Sequence, residues 1–133
     1  MAEEQNQSIW TPFDTDKVRF VDLGRAAAFL IPESKLNFLI DRIDGESVGL
    51  HLANFLTQNF KAFTFCQVPY FGIWINGQEA IFADKCRLYE VSFDGKEKIS
   101  VLGEKLAEIA KIIGEECIYF KAGQYSALVY PKP

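Results

Sequence analysis

The chain has 133 residues, 49% of them hydrophobic and 14% aromatic, and a formal net charge of −4. A chain of this length buries roughly two thirds of its unfolded surface, so it needs neither a disulfide nor a metal to fold. The acidic balance excludes general binding to a nucleic-acid backbone, which takes clustered Lys and Arg, and leaves protein or small-molecule partners.

Residues 1–16 are polar and acidic and read as a flexible N-terminal arm ahead of a single domain over 17–133. Ile9, Trp10 and Phe13 interrupt that polarity. Aromatic side chains so near a terminus either pack back onto the domain or form a docking peptide for another protein or a second subunit, because aromatic anchors dominate interfaces. The start of the chain lacks the basic residues and apolar run of a signal peptide. No stretch approaches the roughly 18 apolar residues that cross a bilayer. A cytoplasmic location, away from membranes, is the expectation.

Lys17 to Asp22 alternates as a strand does, and Ala26 to Ile31 is a continuous apolar run that reads as a buried strand. Over 32–43, Leu36, Leu39, Ile40 and Ile43 have helical spacing, but a strand from Leu36 fits nearly as well. Asp44-Gly45 is a turn. Ser47 then has the place of an N-cap for a helix over 48–60, whose apolar stripe is Val48, Leu52, Phe55, Leu56 and Phe60. His51, the only histidine, lies beside that stripe. A general base needs a partner within reach, and the sequence supplies no obvious one, so a structural histidine is the reading.

Ala62 to Val68 reads as a strand stopped by Pro69. Tyr70, Phe71 and Trp74 precede Asn76-Gly77, the strongest short hairpin signal, so residues 72–75 and 79–82, the second arm ending in Phe82, form an aromatic hairpin. Residues 84–93 make a long strand with Tyr89, Val91 and Phe93 facing the core. Ile99, Leu102, Leu106, Ile109 and Ile113 then stripe a helix, with Asp94 and Glu97 spaced as a capping box and Gly114 as its left-handed stop. Two more strands follow, over 117–121 and 125–130.

Strand, helix, strand, inserted hairpin, strand, helix, strand is the order of an α+β, ferredoxin-like split βαβ sheet. It predicts two helices on one face of the sheet and an extra C-terminal edge strand. The other face is then polar, covered by the arm and hairpin, or used for dimerisation or a ligand.

Motifs for catalysis, phosphate cradling or metal ligation are missing, so no cofactor and no metal are expected. Asp41, Asp44 and Glu46 lack the spacing of a calcium loop. Cys66, Cys86 and Cys117 contain no CxxC pair and sit in apolar, strand-like segments, as reduced core thiols do. The first functional reading is a non-catalytic binding or regulatory module, acting through protein contacts or as a homodimer and using Trp10, Tyr70, Phe71, Trp74 and Phe82. The alternative is a small-ligand binder or small enzyme with a pocket at the sheet face near His51, Trp74, Tyr89 and an acid such as Glu90 or Asp84.

Overall fold

The computed structural model describes residues 8–40, 45–66, 85–123 and 125–133 in full, and the main chain alone at 70–75 and 81–84. Its elements, in chain order, are β1 (Arg25–Pro32), α1 (Val48–Asn59), β2 (Ala62–Phe65), β3 (Tyr70–Ile75), β4 (Ile81–Phe93), α2 (Glu97–Ile113), β5 (Ile118–Ala122) and β6 (Tyr125–Val129). The sheet is antiparallel throughout, with strand order β2-β4-β1-β5-β6. This is the expected α+β, ferredoxin-like arrangement, extended at one edge by β6.

β4 organises the sheet. It runs 13 residues and pairs with β1 from Arg25↔Phe93 to Pro32↔Cys86. On its other side β2 pairs at 89–92 and β3 at 81–86, end to end. The expected hairpin arm over 79–82 and the strand over 84–93 are therefore parts of one strand from Ile81 onward. The Asn76-Gly77 turn lies outside the described residues.

Strand alternation decides what each face carries. Ala27, Phe29 and Ile31 on β1, Tyr89, Val91 and Phe93 on β4, and Ile118 and Phe120 on β5 are buried. They join Leu52 and Leu56 of α1 and Leu102, Leu106 and Ile109 of α2 in one core. Within it, Phe29 stacks on Tyr89 with ring centroids 5.1 Å apart. Burying an apolar side chain of this size contributes about 1.5–3 kcal/mol, so both helices are held mainly by this contact with the sheet.

The helix ends follow their sequence signals in part. The Ser47 hydroxyl accepts from the Leu50 N–H at 3.1 Å, as an N-cap does. Gly114 adopts φ 73°, and the Glu115 N–H reaches back to the Ala110 carbonyl at 2.8 Å. The Asp94/Glu97 capping box does not form. α2 starts at Glu97 itself, so that residue sits one position into the helix instead of three, and Asp94 pairs with Lys61 at 2.6 Å.

Two other expectations give way. Residues 17–22 form no strand. β4 and β5 already occupy both edges of β1, and β6 occupies the outer edge of β5. The segment hydrogen-bonds locally instead: the Phe20 N–H donates to Asp14 Oδ1 at 2.8 Å and the Thr15 N–H to the Val18 carbonyl at 2.9 Å. The stretch after β1 is neither a long helix nor a strand. It makes a short 3-10 turn over Glu33–Lys35 and one bridge, Leu39↔Ser47. Its carbonyls serve α1, because the N–H groups of Val48 and Gly49 donate to Phe38 and Leu36. A helix N-terminus always leaves such donors in need of partners. Residues 41–44 lie outside the described set.

Candidate functional site

The helix-free face of the sheet carries a trough. Its floor is the central strand β1, whose outward residues Ala26 and Ala28 have almost no side chain. Its walls are the longer side chains of β4 and β5, namely Leu88, Glu90, Tyr119 and Lys121, with Leu30 at one end. Strands lie about 4.8 Å apart, so the wall backbones stand roughly 10 Å from each other across β1. The open depression so formed has a volume of about 530 Å3. No described residue outside β1, β4, β5 and the Gly123 turn lines it.

Register fixes the charges. Ala28 pairs with Glu90 on one side and with Lys121 on the other. One row across the sheet thus reads carboxylate, methyl, ammonium. Among the described residues neither the Glu90 nor the Lys121 side chain makes a hydrogen bond or ion pair. The next row pairs Leu30 with Leu88 and is apolar. The Tyr119 ring, 38% exposed, stands on the β5 wall. The trough therefore offers a flat floor, an aromatic edge, one hydrogen-bond acceptor of negative charge and one donor of positive charge.

His51 belongs to a different place. It lies in the first turn of α1, and its Nδ1 stands 2.9 Å from Glu46 Oε1. Glu46 precedes the helix, so the carboxylate absent from the helix register is supplied by the loop before it. On the other side of the ring, Lys105 Nζ of α2 stands 3.1 Å from Nε2. An ammonium can only donate, so Nε2 accepts and Nδ1–H donates to Glu46. Lys105 also holds Glu108 at 2.9 Å and lies over the Phe55 ring at 5.1 Å. Acid, imidazole and amine stand in the order of a catalytic relay. The amine, however, is taken up in its ion pair with Glu108. The chain of contacts ties α1 to α2 across their outer surfaces.

The pocket expected near His51, Trp74 and Tyr89 is thus not one site. His51 is on the helices and Tyr89 is in the core, where burial pushes its hydroxyl pKa up and the neighbouring Arg87 guanidinium pulls it partly back. Neither lines the trough. Among the described residues of that constellation only Glu90 does, because it alternates with Tyr89 onto the opposite face. The side chains of Tyr70, Phe71, Trp74, Phe82 and Asp84 lie outside the described set; the main chain places Trp74 opposite Phe82 in the β3–β4 pair. Lys121 was missed. Its signal was the alternation of β5, in which Ile118 and Phe120 point inward and Tyr119 and Lys121 outward.

Trp10 and Phe13 gather on Phe20 and stay partly exposed, at 39% and 59%. Trp10 stacks on Phe20 with centroids 5.6 Å apart, and Phe13 meets Phe20 edge-on at 6.2 Å. Cys86 and Cys117 are buried, as expected, while Cys66 is half-buried. Burial raises the Cys117 thiol pKa, against a hydrogen bond to Tyr130 that lowers it.

The fold and the trough can be set beside known proteins. No known protein family matches the chain, and neither does any curated protein. Among solved structures the chain is similar to a phage SAM lyase in complex with S-methyl-5′-thioadenosine. The two share 11% sequence identity at a TM-score of 0.51, over 87% of this chain and 96% of the lyase. At that identity the likeness is one of fold. No helix among the described residues is long and apolar enough to cross a membrane.

Proposed function

We propose that the chain binds a small molecule in the trough on the helix-free face of its sheet. The observation that carries this reading is the row Glu90–Ala28–Lys121. Two opposite charges stand on either side of an alanine and are left without partners among the described residues. Charged side chains on a sheet usually pair with a neighbour across strands when one is in reach. Here the strand between them holds them apart, and a ligand lying over Ala28 reaches both.

The chemistry of the walls defines the ligand class. A planar ring fits the alanine floor and packs against Tyr119 or Leu88. Hydroxyl or amino groups donate to Glu90, and an acceptor meets Lys121. A nucleoside-like molecule has these parts. The similar phage lyase was solved with one of that kind, which supports the reading without carrying it.

Calorimetric titration with S-methyl-5′-thioadenosine as probe tests it. Charge-assisted hydrogen bonds contribute about 1.5–3 kcal/mol, so Lys121→Ala and Glu90→Gln each weaken binding by roughly 10- to 150-fold. Binding that neither substitution alters, or no heat at millimolar probe, overturns the assignment.

A further inference from the structure

Among the described residues, two of the surfaces that expose apolar side chains to water match each other. One is the trough face, with Leu30, Leu88 and Tyr119 beside its two charges. The other is the arm before β1. Among its residues Trp10, Phe13 and Phe20 form a three-ring cluster, yet they remain 39%, 59% and 42% exposed. Ile9, Val21 and Leu23 are also exposed. The arm is not shapeless: a 3-10 turn at Thr11–Phe13 and the Asp14 side chain on the Phe20 N–H hold its rings together. Its root is fixed as well. Gly24 takes φ 89° with its N–H on the Asp22 carboxylate, and a Cβ there would meet the Phe93 carbonyl. No described arm residue lines the trough of its own sheet.

We infer that this arm is an exchange element: in a symmetric dimer, the Trp10–Phe13–Phe20 cluster of each protomer seats on the helix-free sheet face of its partner. Area fits this occupant. Aromatic side chains bury about 150–250 Å2 each. The exposed parts of the three rings and three aliphatic residues therefore come to roughly 600 Å2 per arm. Two reciprocal contacts remove roughly 1,200 Å2 of arm surface from water, before the sheet they cover is counted, which reaches the size of stable protein interfaces. The rings roof the trough, so a ligand in it lies between the two copies. The dimer itself does not depend on that ligand.

Light scattering after size exclusion, on the full chain without ligand, tests the inference. A mass of twice the 15.1 kDa chain is expected at protein concentrations from about 1 to 100 μM. Trp10→Ala combined with Phe20→Ala on the arm, and Tyr119→Ala on the face, each shift the mass toward monomer while the circular dichroism spectrum is kept. Mixing the arm variant with the face variant restores a heterodimer, because one intact arm then meets one intact face. A monomer throughout that range overturns the inference. So does a dimer that the arm substitutions leave intact, or a mixture in which no heterodimer forms. Probe binding by the monomeric arm variant is read separately, so loss of the dimer and loss of the ligand site are distinguishable.

Discussion

Leu106→Ala tests whether α2 is docked on the sheet. Leu106 is fully buried in the middle of the α2 stripe, within the cluster that contains Phe29, Val91 and Leu52. Truncating a leucine at such a site removes its transfer free energy and leaves a cavity, at a cost of about 2–5 kcal/mol. Unfolding entropy near 60 °C is about 2.1 cal/mol/K per residue, hence roughly 280 cal/mol/K for this chain, and the loss corresponds to a fall in Tm of roughly 7–18 °C. Leu50→Ala is the control. Leu50 lies on α1 with half its surface in water, and its truncation costs under about 1 kcal/mol. Urea unfolding of both variants, followed by far-ultraviolet circular dichroism, reads the difference as a change in midpoint at constant m-value. A Leu106→Ala loss below about 1 kcal/mol, or equal losses for the two variants, would mean that the α2 stripe does not pack on the sheet.

Two glycines move stability in opposite directions. Gly24→Ala forces a left-handed φ on alanine and puts its Cβ against the Phe93 carbonyl, at a cost of about 1–3 kcal/mol; Gly103→Ala, inside α2 with nothing within 4 Å of a Cβ, adds about 0.5–1 kcal/mol, and thermal melts read both. His51→Ala breaks the Glu46–His51–Lys105 tie and costs about 1 kcal/mol in denaturant unfolding, with no effect on probe binding in the trough. Alkaline pH weakens the fold. The Tyr89 hydroxyl and Cys117 thiol have pKa values raised on folding, so above their unfolded values the folded state binds more protons than the unfolded one and stability falls as pH rises. Urea midpoints measured from pH 8 upward are expected to decline, and less so in Cys117→Ala.

The sequence shows most clearly what depends on local period. The Ile99–Ile113 stripe, the Ser47 cap and the Gly114 stop are all present, because each is decided within a few residues of itself. The element order then led to the ferredoxin-like sheet. What failed was decided elsewhere in the molecule. Residues 17–22 alternate as a strand does, but alternation cannot report whether a sheet edge is free, and none beside β1 was. Asp94 and Glu97 have capping-box spacing, but spacing does not fix the residue at which a helix begins. His51 had no partner by helical register, because Glu46 comes from the loop and Lys105 from the other helix.

The trough was hidden for a related reason. The run Arg25-Ala-Ala-Ala-Phe-Leu-Ile reads as one apolar strand, and its alanines look like weak core. They matter because β1 is the central strand: Ala27 lies under the helices, while Ala26 and Ala28 lower the opposite face between two strands of long side chains. An alanine floor makes a hollow only when its neighbours are tall, and the identity of those neighbours is a matter of topology. Once the order β4-β1-β5 is known, the row Glu90–Ala28–Lys121 follows from register alone. Filling that floor without touching either charge is then a sharp test. Ala28→Leu keeps Glu90 and Lys121 in place and adds three carbons to a half-exposed position, so stability changes by less than about 1 kcal/mol. The trough loses its depth between the two charges, and binding of S-methyl-5′-thioadenosine falls at least 10-fold in the calorimeter. Unchanged binding in a stable Ala28→Leu protein would place the ligand somewhere other than over β1.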